Sequence, residues 1–141
     1  VGGLADVVFG LSRELEVRGH AVEIVLPRYD CMREDQVWDL HVVDHELWVP
    51  WDGGVIPCTI SFGFAHGRKC YFIEPRSSQG FFDRGTCYGF PDDAERFSFA
   101  HGFEHLALDA ALVQHQFQHQ AANTRACDGN FHDFFRFNII L

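Results

Sequence analysis

The chain has 141 residues, 47% of them hydrophobic and 15% aromatic, which suits one domain with a sizeable core. Its formal net charge of -9 argues against a nucleic-acid backbone or an anionic membrane as partner. A small phosphate ligand stays compatible with that charge, because backbone amides can hold it without cations.

The sequence opens VGGLADVVFGLSRELEVRGH. Leu4, Val7, Val8, Leu11 and Leu15 recur at helical spacing, which predicts an amphipathic helix over 4–18 with Gly19 as its left-handed stop. AVEIVLP (21–27) follows as a strand in which Val22, Ile24 and Leu26 alternate. A helix and a strand joined by two residues are half of an α/β unit. The stretch 37–51 reads as extended and is broken at Asp52-Gly53-Gly54. CTISFGF (58–64) and CYFIE (70–74) are two strands joined by a glycine turn, either a hairpin or a parallel pair. A loop rich in glycine and aromatics spans 75–93, and a second helix starts near Asp92 or Asp93 with acids at its positive end. This helix is expected to run on through ERFSFAHGFEHLALDAALV.

From about residue 100 the composition changes. Five of the nine histidines lie in 101–132, VQHQFQHQ is biased to Gln and His, and the chain finishes on the apolar FHDFFRFNIIL. Residues 100–141 are therefore expected to form a divergent tail, separate from 1–99. No run approaches the roughly 20 apolar residues of a membrane-spanning helix, and no signal or transit peptide is visible. The five cysteines at 31, 58, 70, 87 and 127 are scattered, with no CxxC pair, and read as reduced thiols.

Four features carry possible chemistry. Gly2-Gly3 before a helix makes an anion site, since the first helical amides lack partners and the dipole favours negative charge. The same pair also serves as a plain tight turn, and the sequence has no phosphate-loop motif. His101-Gly102-Phe103-Glu104-His105 fits the H-x-x-E-H pattern of inverted zinc peptidases, and His115 and His119 form a second i, i+4 pair. Chance histidines in a biased tail account for both. Trp48 and Trp51 flank Pro50, where indoles either stack on sugar rings or pack in the core. Cys87, beside Tyr88, has no base placed near it and reads as a loop thiol.

Val1-Gly2-Gly3-Leu4-Ala5-Asp6-Val7 resembles the K-x-G-G-L-A-D-V opening of the bacterial glycogen synthases and plant starch synthases. The resemblance continues through LSRELEVRGHAVEIVLPRYDCM and returns in YFIEP, FFDRGTCYG and DDAERFSF, so that it covers roughly residues 1–99. It implies an α/β fold, an incomplete Rossmann-like N-terminal domain of a GT-B glycosyltransferase. It also implies a retaining transfer of glucose from ADP-glucose to the non-reducing end of an α-1,4-glucan, with no metal and no other cofactor. By the same resemblance Gly2 and Gly3 approach the donor sugar and diphosphate. Asp6 matches an acid implicated in donor binding, and Tyr88 and the block from Asp92 to Arg96 line the cleft. ADP-glucose and the glucan are the expected partners, in a bacterial cytoplasm or a plastid stroma.

The departures from the family set further expectations. The family lysine would directly precede Val1, the first Rossmann strand would precede it too, and no His-Asp-Trp block follows Phe99. The second domain, with its arginine–lysine pair and glutamate, has no counterpart here. A fragment inactive alone is therefore expected, with a tail from about Ala100 that a shifted reading frame or mispredicted exon would produce. A non-catalytic glucan-binding module and a zinc protein using His101, Glu104 and His105 are the alternatives.

Overall fold

The computed structural model describes the backbone of residues 3–106 and 136–140 and, Leu4 aside, the side chains of residues 3–100. In chain order the elements are α1 (Leu4–Val17), β1 (Ala21–Pro27), β2 (Val37–Trp51), β3 (Gly54–Ala65), β4 (Arg68–Pro75), α2 (Asp93–Leu106) and β5 (Arg136–Ile140). The strands form one sheet in the order β2-β3-β4-β1-β5. β1 pairs parallel to both β4 and β5, whereas β2-β3 and β3-β4 are antiparallel, so the sheet is mixed.

Turn chemistry explains the antiparallel half. Asp52 and Gly53 have φ of 47° and 73°, and His66 and Gly67 have 49° and 77°. Two successive residues at positive φ make the two-residue turn whose twist matches a hairpin. Residues 58–64 and 70–74 thus form a hairpin rather than a parallel pair. β2 carries register shifts against β3, and at the first of them Gly63 lies against Val37, Trp38 and Leu40. A bulge of this kind lets a longer strand follow a shorter partner.

The sheet has a core on each face. Ile24, Cys70 and Phe72 face one side and pack with Val8 of α1. Their sequence neighbours Val25, Tyr71 and Ile73 face the other, with Phe81, Phe82, Phe99 and Ala100 of the 76–92 loop and α2. β1 is therefore covered on both faces, and even Glu23 within it is buried, a pattern expected of a parallel strand between layers.

The structure corrects the predicted face of α1. Val7 and Leu11 are exposed, at 61% and 48%, while Val8 and Ser12 are buried. The apolar residues of this helix span two adjacent faces, and spacing alone does not choose between them. The small Ser12, its hydroxyl donating to the Phe9 carbonyl at 3.0 Å, lets the chosen face approach closely. The end of α1 follows the prediction. Gly19 sits at φ 87°, its amide donates to the Glu16 carbonyl and that of His20 donates to the Leu15 carbonyl, a Schellman stop. The apolar finish also has a partner, since Arg136–Ile140 pairs with Ala21–Val25.

Candidate functional site

The candidate residues lie in two places: at the N-terminus of α1, a helix that packs on one face of the sheet, and on the 76–92 loop with the start of α2, which pack on the other. At α1, Gly3 is the N-cap with φ 82°, and nothing lies within 4 Å of the position a Cβ would take. This backbone conformation favours glycine, and the missing side chain leaves open approach to the first-turn amides. Asp6 partly occupies that approach, its carboxylate accepting from the Gly3 amide at 3.4 Å. Gly2 lies outside the described residues.

The 76–92 loop has little regular structure, and charged side chains fix its path. Arg84 donates to both carboxylate oxygens of Asp92, at 2.7 and 2.8 Å, and to the carbonyls of Gly80 and Gln79. Asp93, the first residue of α2, accepts from the amides of Gly89 and Phe90, at 2.6 and 3.1 Å, and so ties the loop to the start of the helix. Arg84 holds the Asp92 carboxyl below its usual range. The Gly89 amide, then that of Phe90, does the same for Asp93.

Arg96 is the keystone of the loop. Its side chain is fully buried; Nε donates to the Phe81 carbonyl, Nη1 to Asp93 at 2.6 Å and Nη2 to the Cys87 carbonyl at 3.5 Å. The guanidinium lies 5.0 Å from the ring centre of Phe90 and 5.8 Å from that of Phe82, within range of a cation–π contact. All three nitrogens of Arg96 are thus engaged within the protein. Asp92 and Arg96 share this network, and Tyr88, 61% exposed, stands on the loop that they hold. A short segment after β1 supports the same loop. The Asp30 carboxylate accepts from the Gly85 amide at 2.9 Å, and Tyr29 packs edge-on to Phe82 with ring centres 5.3 Å apart. Burial pushes the Tyr29 hydroxyl up to about 12.

Sequence reasoning does not single out Arg84 and Asp30, and it reads Asp93 only as a helix start and as part of the Asp92 to Arg96 block. The charges in FFDRG and PDD are the visible signal, but their pairing emerges only once the loop has folded back. Trp51 is half-buried and edge-on to Phe99 at 5.3 Å, as core packing predicts, whereas Trp48 is 55% exposed on the edge strand β2. The backbone of α2 runs through His101, Glu104 and His105, but their side chains, with His115 and His119, lie outside the described residues. Among the described residues, no group of three His, Cys, Asp or Glu could hold a metal ion, and no helix is long and apolar enough to cross a membrane.

Comparison with known proteins places these features in a family. Residues 1–123 match the starch synthase catalytic domain. The chain belongs to this family. The starch synthase match runs past Phe99, where the resemblance read from individual motifs ends. Glycogen synthase 2 of Methylococcus capsulatus is 66% identical over 99 residues, covering 70% of this chain and 20% of that protein. Glycogen synthase 1 of a Synechococcus species is 60% identical over 111 residues, covering 79% and 22%. The catalytic domain of starch synthase IV from Arabidopsis thaliana, solved with ADP and acarbose, is similar with a TM-score of 0.67 at 46% identity, over 70% of this chain and 20% of that one. The fold is thus part of the Rossmann-like N-terminal domain of a GT-B starch synthase. The chain spans about a fifth of the length of the relatives it matches.

Proposed function

We propose that this chain supplies the glycine-turn side of the donor site of a retaining glucosyltransferase. The reaction moves glucose from ADP-glucose to the non-reducing end of an α-1,4-glucan. The observation that carries this reading is the open glycine N-cap of α1 within a matched starch synthase domain. The relative solved with ADP and acarbose supports a nucleotide donor and a glucan acceptor. As the bond from the glucosyl carbon to the diphosphate breaks, positive charge develops on the sugar and negative charge on the leaving ADP. The first-turn amides of α1 donate to that negative charge, and the helix dipole adds to it. Gly2 and Gly3 keep the backbone within reach of the diphosphate. Asp6, at the same helix end, accepts from donor hydroxyls. Tyr88 contributes an exposed ring at the cleft, and Asp92 and Arg96 act through the loop that carries it.

Calorimetric titration of ADP into the chain tests the proposal. ADP is expected to bind, Gly3→Val and Tyr88→Ala to weaken it at least about tenfold, equal to about 1.4 kcal/mol, and Tyr88→Ala to leave the melting temperature unchanged. Since the matched region is a fifth of each relative, the chain alone is expected to bind donor without incorporating labelled glucose into glycogen. Undiminished ADP binding by Gly3→Val, or none by the parent chain, overturns the assignment.

A further inference from the structure

Cys31 and Cys87 are 56 residues apart in sequence, yet their Sγ atoms are 3.8 Å apart. Cys31 is exposed, in the segment that follows β1, and Cys87 is half-buried beside Tyr88. Neither thiol is needed to hold this approach. Asp30, next to Cys31, accepts from the Gly85 amide at 2.9 and 3.0 Å through its two carboxylate oxygens, and its own amide donates to the Phe82 carbonyl at 3.2 Å. Arg96 fixes the Cys87 carbonyl from the other side. The two Sγ atoms, on segments aligned by other bonds, have to close from 3.8 Å to about 2.05 Å to form a disulfide.

The remaining described cysteines are placed differently. Cys58 and Cys70 are fully buried, in the cores on opposite faces of the sheet. Burial pushes the Cys58 thiol up to about 12 and raises those of Cys70 and Cys87 as well, so what sets Cys87 apart is its contact with the exposed Cys31 thiol, not an easier ionisation.

We propose that Cys31 and Cys87 form a reversible disulfide site for oxidants of the glutathione disulfide class, and that closing it locks the Tyr88 loop to the end of β1. The exposed Cys31 thiolate attacks one sulfur of glutathione disulfide, forms a mixed disulfide and releases one glutathione thiolate. The Cys87 thiolate then attacks the Cys31 sulfur and displaces the second glutathione. Two protein thiols are oxidised to one disulfide, one glutathione disulfide is reduced to two glutathiones, and the two thiol protons pass to the departing thiolates. The bond itself is independent of the ligand, while its consequence for ADP rests on the role proposed above for Tyr88.

The test is exposure of the full 141-residue chain, under native conditions, to glutathione disulfide, followed by alkylation, digestion and mass spectrometry. A Cys31–Cys87 linked peptide is expected as the dominant product, reversed by dithiothreitol, while Cys58 and Cys70 remain alkylatable only after unfolding. Cys31→Ser and Cys87→Ser should each stop at a mixed disulfide on the surviving partner. Amide exchange across residues 85–90 should slow about tenfold in the oxidised form, as expected when local opening is restrained. A stable mixed disulfide on Cys31 with Cys87 still free, or links to Cys58, Cys70 or Cys127 in comparable amounts, overturns the proposal. ADP titration of both redox forms separates the two readings. If neither form binds ADP but the linked peptide appears, the donor-site assignment fails and the disulfide site stands.

Discussion

Arg96→Met is the sharpest test of how the loop beside Tyr88 is held. Methionine fills much of the arginine stem volume but donates nothing. Three acceptors lose a donor: the Phe81 carbonyl, Asp93 and the Cys87 carbonyl. Phe81 is 1% exposed, so its carbonyl has no ready access to water, and an unpaired buried acceptor of this kind costs about 2 kcal/mol. Loss of the cation over the Phe90 and Phe82 rings adds about 1 kcal/mol. Asp93 keeps two backbone donors and reaches solvent, so its loss is screened and adds no separate figure. Relief of the desolvated guanidinium offsets part of the sum. The expected net destabilisation is about 2 kcal/mol, equivalent to a fall in melting temperature of about 8 °C for a domain of this size. Thermal and urea unfolding of the parent, Arg96→Met and Arg96→Lys give the measurement. Lysine keeps the charge but lacks the planar fork that meets three acceptors at once, so it should recover less than half of the loss. A fall of under about 2 °C for Arg96→Met, or full recovery by lysine, would mean that this network does not hold the loop.

Two further outcomes follow from neighbouring features. Asp92 and Asp93 are both held below the ordinary value of 3.8. Their contribution is therefore fully present above that value and is lost as pH falls from it through the folded values. Melting temperatures followed from neutral pH to about pH 2 should decline through this window, and Asp93→Asn should flatten the decline; an identical slope in that variant refutes the assignment. Two glycines should respond in opposite directions to alanine. At Gly63 a Cβ would stand 2.6 Å from Val37 Cγ1 and 3.3 Å from the backbone of Leu40 and Trp38, so urea unfolding should show a loss of about 1–3 kcal/mol. At Gly10, inside α1 with nothing within 4 Å, alanine should add about 0.5–1 kcal/mol. Equal effects at the two sites would refute the reading of Gly63 as a close-approach position.

What the sequence made legible was local. The stop at Gly19, the strand 21–27, the break at Asp52-Gly53 and the start of α2 each depend on the conformational preference of one or two residues, and those preferences act within a few positions. The face of α1 was not legible, because Val7 with Leu11, four apart, and Val8 with Leu15, seven apart, both satisfy helical spacing. Only the surface offered by Ile24, Cys70 and Phe72 selects between them. The double burial of β1 was hidden for a related reason. Alternation of Val22, Ile24 and Leu26 suggests one buried face, but the second cover comes from Phe81, Phe82 and Phe99, which lie far along the chain.

The candidate site divides along the same line. Gly2, Gly3 and Asp6 stand in a short contiguous motif and could be read directly. Arg96 reads as a surface cation, as arginine usually is, until an aromatic loop closes over it and brings the Phe81 and Cys87 carbonyls to its donors. The loop is thus ordered from within by a residue that the motif reading assigned to the cleft wall. Tyr88, exposed on the same loop, is the residue proposed above to meet the ligand. In the proposed function, positioning and contact are divided between two side chains only eight positions apart. A change in ADP affinity without a change in stability at Tyr88, and the reverse order of effects at Arg96, is the signature that such a division leaves.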